Sequence, residues 1–160
     1  MKIKENKGFT GVDVAVSLVI LLVFVSFVAA LFYNLSNTSK RIERKSIATN
    51  LAIEVIESMK SADFTELDTY ATASGCNTQL IELTDSTKTN FETLIGKTIN
   101  IENGYEVKIS IKNPEDKDGD ASKSEAMGQV IKVISVQVNY TLGKSSTETV
   151  NIETLVKNIQ

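Results

Sequence analysis

The stretch KGFTGVDVAVSLVILLVFVSFVAALFY, residues 7–33, decides how the chain is read. Residues 14–33 are 20 consecutive positions with no charge, no proline and no glycine. As a helix rising 1.5 Å per residue that run measures roughly 30 Å, the thickness of a bilayer's hydrocarbon. One carboxylate, Asp13, sits immediately before it, among Val12, Val14 and Val16. A charge inside such a segment costs about 2.5–3.5 kcal/mol on insertion scales, so it calls for a partner. Lys2, Lys4 and Lys7 lie before the run and Lys40, Arg41, Arg44 and Lys45 after it, so the distribution of basic residues leaves the orientation open.

Lys7-Gly8-Phe9-Thr10, an acid four residues after the Phe, and about twenty apolar residues resemble the amino terminus of a type IV prepilin. The resemblance implies that a membrane-embedded prepilin peptidase cuts between Gly8 and Phe9 and methylates the new amine of Phe9. It also implies a cytoplasmic leader and a carboxyl-terminal domain outside the cytoplasmic membrane. Cleavage would create an α-ammonium at the head of an apolar helix, and Asp13 is the group to neutralise that charge on a neighbouring subunit. Two isolated buried charges are each expensive, whereas a well-placed pair offsets much of the penalty. Asp13 is thus expected to fix the register of helices packed side by side. The family usually has Glu at this position and a large aliphatic residue where Gly11 stands. It often has a helix-breaking Pro or Gly in mid-span, absent here. These departures point to a minor subunit rather than a filament's main one.

Other readings of the span leave more unexplained. A secretory signal has a 7–15-residue apolar core followed by a small-residue cleavage site. This core is longer, and Ala29-Ala30 runs on into Leu31-Phe32-Tyr33. A plain single-pass anchor gives no reason for Asp13 or the Gly8-Phe9 junction.

Composition narrows the function classes. At 160 residues the chain holds one domain plus its anchor. Without residues 1–8 it keeps 14 basic and 19 acidic side chains, a net charge of −5. That balance argues against direct nucleic-acid binding, which needs clustered Lys and Arg. The cluster Lys40, Arg41, Arg44 and Lys45 directly follows the span and suits anionic lipid headgroups. No His is present, removing the commonest general base and metal ligand. The eight glycines form no phosphate-cradling loop. Cys76 is alone, so it forms neither an intramolecular disulfide nor a thiolate cage, and its turn-like setting predicts a half-buried, inert thiol. The sequence predicts no enzyme and no cofactor.

Asp116, Asp118 and Asp120 have the first, third and fifth spacing of a calcium-binding EF-hand loop. The match then fails, with Ala121 at the sixth position and Met127 at the twelfth. A solvated loop entered at Pro114 is the expectation, with a weak calcium site as its alternative.

After Tyr33 the helical pattern turns amphipathic. Ala48, Leu51, Ala52, Val55, Ile56 and Met59 recur at three- and four-residue spacing, while Lys40, Arg44, Asn50, Glu54, Glu57 and Lys60 mostly take the other faces. An unbroken helix from about Thr10 to Met59 would be roughly 75 Å long. Residues 61–98 are polar and mixed, with short apolar groups at Leu80-Ile81-Leu83 and Phe91-Leu94-Ile95. Strand alternation follows in Tyr105, Val107, Ile109 and Ile111, and again in Ile134, Val136, Val138 and Tyr140. Beyond the turn at residues 142–146, Val150 and Ile152 alternate likewise, which predicts an antiparallel hairpin. Ile99 and Ile101 are candidates for a further strand.

The expected fold is α+β, a long amino-terminal helix whose first half spans the membrane and whose amphipathic second half packs on a small antiparallel sheet. The segments are a leader at residues 1–8, a transmembrane or filament-core helix at 9–33, the amphipathic half at 34–60, and a globular region at 61–160. This pattern agrees with the pilin fold that the amino terminus implies, and the final run Thr154-Leu155-Val156 is similar to the ends of minor pilins and pseudopilins. The resemblance implies a minor pilin or pseudopilin of a type IV pilus or type II secretion-like filament. Its partners would be other pilin subunits, the prepilin peptidase, a membrane platform protein, an assembly ATPase and membrane lipid. A competence-type DNA-uptake pseudopilin and a membrane-anchored binding ectodomain without a filament are the alternatives.

Overall fold

The computed structural model describes residues 11–115, 120–142 and 146–158. Helix α1 occupies Gly11–Ser61. Two compact units divide the chain, Met1–Ile42 and Glu43–Gln160, so their boundary falls inside the stretch expected to be the helix's amphipathic half.

In the second unit all six residues of the expected α1 stripe, Ala48, Leu51, Ala52, Val55, Ile56 and Met59, are buried. They share one core with the inner face of a four-stranded antiparallel sheet. The strands are β1 (Ile81–Glu82), β2 (Tyr105–Lys112), β3 (Ile131–Leu142) and β4 (Ser146–Lys157), in the spatial order β1-β2-β3-β4. Alternation sets the inner face. Ile81, Ile109, Val136 and Ile152 line up across all four strands, and Val107, Val138 and Val150 form the next row. Tyr140 is buried opposite Tyr105, and its hydroxyl donates to Glu148 Oε2 at 2.7 Å. Burying one Val, Ile or Leu is worth about 1.5–3 kcal/mol, whereas an exposed ion pair such as Lys97–Glu54 contributes roughly 0–1 kcal/mol. Apolar burial therefore seats this part of α1 on the sheet. The architecture is α+β, as the sequence predicts.

The stretch left unassigned by periodicity holds α2 (Phe64–Ser74), β1 and α3 (Asp85–Ile95). Asp63 caps α2, its carboxylate accepting from the backbone N–H groups of Thr65 at 2.8 Å and Glu66 at 3.3 Å. Gly75 ends α2 in the left-handed conformation, with φ 78°, which favours glycine. Leu67 and Ala71 of α2 and Phe91 of α3 complete the core, with Tyr70 and Phe91 ring centroids 5.9 Å apart.

Two expectations need correction. Ile99 and Ile101 form no strand: the Ile99 N–H donates to the Glu92 carboxylate at 2.8 Å instead of to a ladder, and its side chain simply fills the core. The fourth strand is β1. Cys76 is not half-buried but wholly inside, because its carbonyl accepts from Ile111 N–H at 3.0 Å and draws the turn onto β2.

Candidate functional site

The candidate site is the apolar surface of α1 before the unit boundary. Leucine, valine and phenylalanine on all sides of residues 14–33 leave no polar side for water. Helix hydrogen bonds meanwhile satisfy the backbone from within, the condition for a segment in hydrocarbon. Phe24, Phe27, Leu31, Phe32 and Tyr33 are each more than half exposed. α1 is long and apolar enough to cross a membrane, and among the described residues none of its most hydrophobic 18-residue window is buried. Its few hydroxyls are tied to the helix itself. Ser17 donates to the Asp13 carbonyl at 2.7 Å, Ser26 to Leu22 at 2.8 Å and Thr38 to Asn34 at 3.0 Å. Each bond pairs a hydroxyl that would be costly to leave unpaired in an apolar environment.

Asp13 lies in the first turn of α1, where a carboxylate is favoured by the helix's positive end. Gly8 and Phe9, the expected cleavage and methylation positions, lie outside the described residues. Among the described residues nothing lies within 4 Å of the position a Cβ on Gly11 would take.

The basic cluster after the span is not uniform. The Arg44 guanidinium donates to the backbone carbonyl of Thr141 at the end of β3, so this residue helps hold its own domain as well as carrying charge. Burial pushes the neighbouring Tyr105 hydroxyl above its usual range, with Arg44 pulling the other way.

Of the acidic triplet, Asp116 and Asp118 lie outside the described residues. Asp120 is the N-cap of α4 (Ala121–Gly128), accepting from Ser122 N–H at 3.0 Å and Ser122 Oγ at 2.6 Å. Those bonds hold its carboxyl below the ordinary carboxylate range. Helix begins at Ala121, so positions six onward of the EF-hand register are not loop. Among the described residues no three His, Cys, Asp or Glu side chains cluster as a metal site. The sequence reading missed α4, whose signal was the Asp120-x-Ser122 start behind an acidic run. Burial pushes the Cys76 thiol up, away from the reactive thiolate.

No protein-family model matches the chain, and no curated protein or solved structure matches it.

Proposed function

We propose that the chain is a minor pilin or pseudopilin, a structural subunit of a type IV pilus or type II secretion-like filament. The observation that supports this reading is the all-round apolar, outward-facing surface of α1, with Asp13 one helical turn after the Gly8-Phe9 junction. A prepilin peptidase removes residues 1–8 and methylates Phe9. The mature helix then leaves the cytoplasmic membrane for a bundle of like helices, with the carboxyl-terminal domain outside. Lipid is as apolar as a leucine side chain, so this transfer gains little hydrophobic free energy. Packing and the pairing of the Phe9 ammonium with a neighbour's Asp13 then set order and register. Work from an assembly ATPase, delivered through a membrane platform protein, drives extraction.

The test is the amino-terminal mass of the membrane-extracted protein. The expected terminus is N-methyl-Phe9, and Gly8→Val, by crowding the scissile position, leaves the leader attached. An intact Met1-containing peptide as the sole terminus in cells assembling filaments would overturn the proposal.

A further inference from the structure

The β2–β3 ladder ends at the pair Lys112 and Val133, and the next cross-strand positions are Asn113 and Lys132. Lys132 continues the inward alternation of Ile134, Val136 and Val138, and it is only 6 % exposed. A lysine on the buried side of a strand is held there by its partners. Its Nζ donates to Asn113 Oδ1 at 2.7 Å and lies 2.6 Å from the Asp68 carboxylate, which reaches over from α2. With a C=O bond of about 1.23 Å, Nζ stands within about 4 Å of Asn113 Cγ. Gly128 makes room for this arrangement. A Cβ there would lie 2.3 Å from Asn113 Cγ and Oδ1, so any larger residue would displace the carboxamide.

An amine, a carboxamide carbon and a proton acceptor are thus gathered in one place, with the amine fixed by burial. We propose that Lys132 and Asn113 join in an intramolecular isopeptide bond, with Asp68 carrying the protons. Asp68 takes a proton from the Lys132 ammonium, and the freed amine attacks Asn113 Cγ to form the new C–N bond. A second proton passes from the Lys132 nitrogen to Asn113 Nδ2, the Cγ–Nδ2 bond breaks, and ammonia leaves. Ammonia takes up the proton held by Asp68 and departs as ammonium, restoring the carboxylate. No oxidant or cofactor is needed. Asn113 is exposed, so the leaving group has a path to solvent. With a single cysteine the chain has no intramolecular disulfide available, and this amide would close residues 113–132 into a covalent loop bracing β2 to β3. All four residues lie within Glu43–Gln160, so the bond stands independently of the filament reading.

Tryptic mapping of the denatured full-length protein, extracted from membranes in detergent, tests the proposal. Residues 113–117 are expected joined to residues 124–144, uncut at Lys132 and lighter by one ammonia than the two peptides together. Ammonia loss at Asn113 by ring closure on the following backbone nitrogen is blocked, because Pro114 has no N–H. Lys132→Arg keeps a cation beside Asp68 yet should yield only separate peptides, and Asp68→Asn should lose most of the linkage. Free peptides 124–132 and 133–144 from wild type, with Asn113 unchanged, would overturn the bond. Full linkage in Asp68→Asn would overturn the assigned chemistry.

Discussion

Two stretches of the same helix, residues 14–33 and 48–59, are both rich in aliphatic side chains, yet one is bare and the other buried. The difference lies in arrangement rather than content. In the later stretch apolar residues recur at three and four, forming one stripe, and the chain's own sheet covers it. In the earlier stretch they occupy every side, which no single sheet face could cover, and among the described residues none of its most hydrophobic window is buried. Periodicity thus reports a partner inside the chain, and its loss reports an environment apolar all round.

A matched pair of substitutions breaks or upholds this contrast, with the largest effect expected. Val55 is fully buried and Val23 is exposed. Val55→Asp places an unpaired charge in the core, which costs several kcal/mol against a total stability of about 5–15 kcal/mol. The cooperative melt of the detergent-solubilised protein should disappear. Val23→Asp should leave that melt unchanged while depleting the membrane fraction, since a central charge costs about 2.5–3.5 kcal/mol on insertion. Equal damage to the melt by both changes would erase the distinction.

Asp13 sharpens the contrast at the next level, because it puts a charge at the edge of the bare stretch. Under the filament reading Asp13→Ala should insert and be cleaved normally but enter filaments poorly. Asp13→Glu should be tolerated or improved, and Asp13→Lys should be worst, setting two positive charges together in a dry bundle. The measurement is the amount of subunit in sheared filaments relative to membranes. Wild-type incorporation of both Asp13→Ala and Asp13→Lys would remove the carboxylate from the assembly mechanism.

The same contrast explains which parts of the molecule were legible in the sequence. Both stretches of α1 and strands β2, β3 and β4 carry long, regular patterns, and those patterns survive in the structure. Helices α2, α3 and α4 are short and rich in Thr and Ser; α2 buries two apolar side chains, α3 one, and α4 only Gly128, so no periodicity rises above their polar background. Their signals were local: Asp63 before α2, Thr84 before α3, Asp120 before α4. Ile99 misled because a buried aliphatic residue in irregular backbone looks like a strand fragment until its N–H is seen bonded to Glu92. The juxtaposition of Lys132, Asn113 and Asp68 joins residues 19 and 45 positions from Asn113: the strand register sets Lys132 beside Asn113, and α2 brings Asp68 to the Lys132 amine.

Asp63 tests the reading of those local signals. Asp63→Ala removes the acceptor for two otherwise open N–H groups of α2 and should cost about 1 kcal/mol. The melting temperature should fall by roughly 3–5 °C for a domain of this size. Asp63→Asn should recover most of it, since a neutral carbonyl oxygen caps nearly as well. Loss of the whole melt would mean that α2 is held by its start rather than by Leu67 and Ala71.

The smallest effect is expected at Tyr70, in the stretch that periodicity left unassigned. Its ring packs against Phe91, and among the described residues its buried hydroxyl has no hydrogen-bond partner. Tyr70→Phe should therefore be neutral or stabilising by no more than about 1 kcal/mol at neutral pH. Alkaline pH separates wild type from variant. Burial, with Cys76 adding to it, pushes the Tyr70 hydroxyl from an ordinary value of 10.0 up to about 12, because the phenolate is poorly solvated there. Stability from keeping the neutral phenol is complete below the unfolded-state value and is lost as pH rises from 10 through about 12, where the unfolded chain ionises first. Phenylalanine has no such loss. The difference in melting temperature between Tyr70→Phe and wild type should stay constant from neutral pH to about 10 and then grow in favour of the variant. A difference that stays flat through the alkaline range would mean that the Tyr70 hydroxyl reaches water in the folded protein, and that α2 and α3 cover the core less tightly than α1 does.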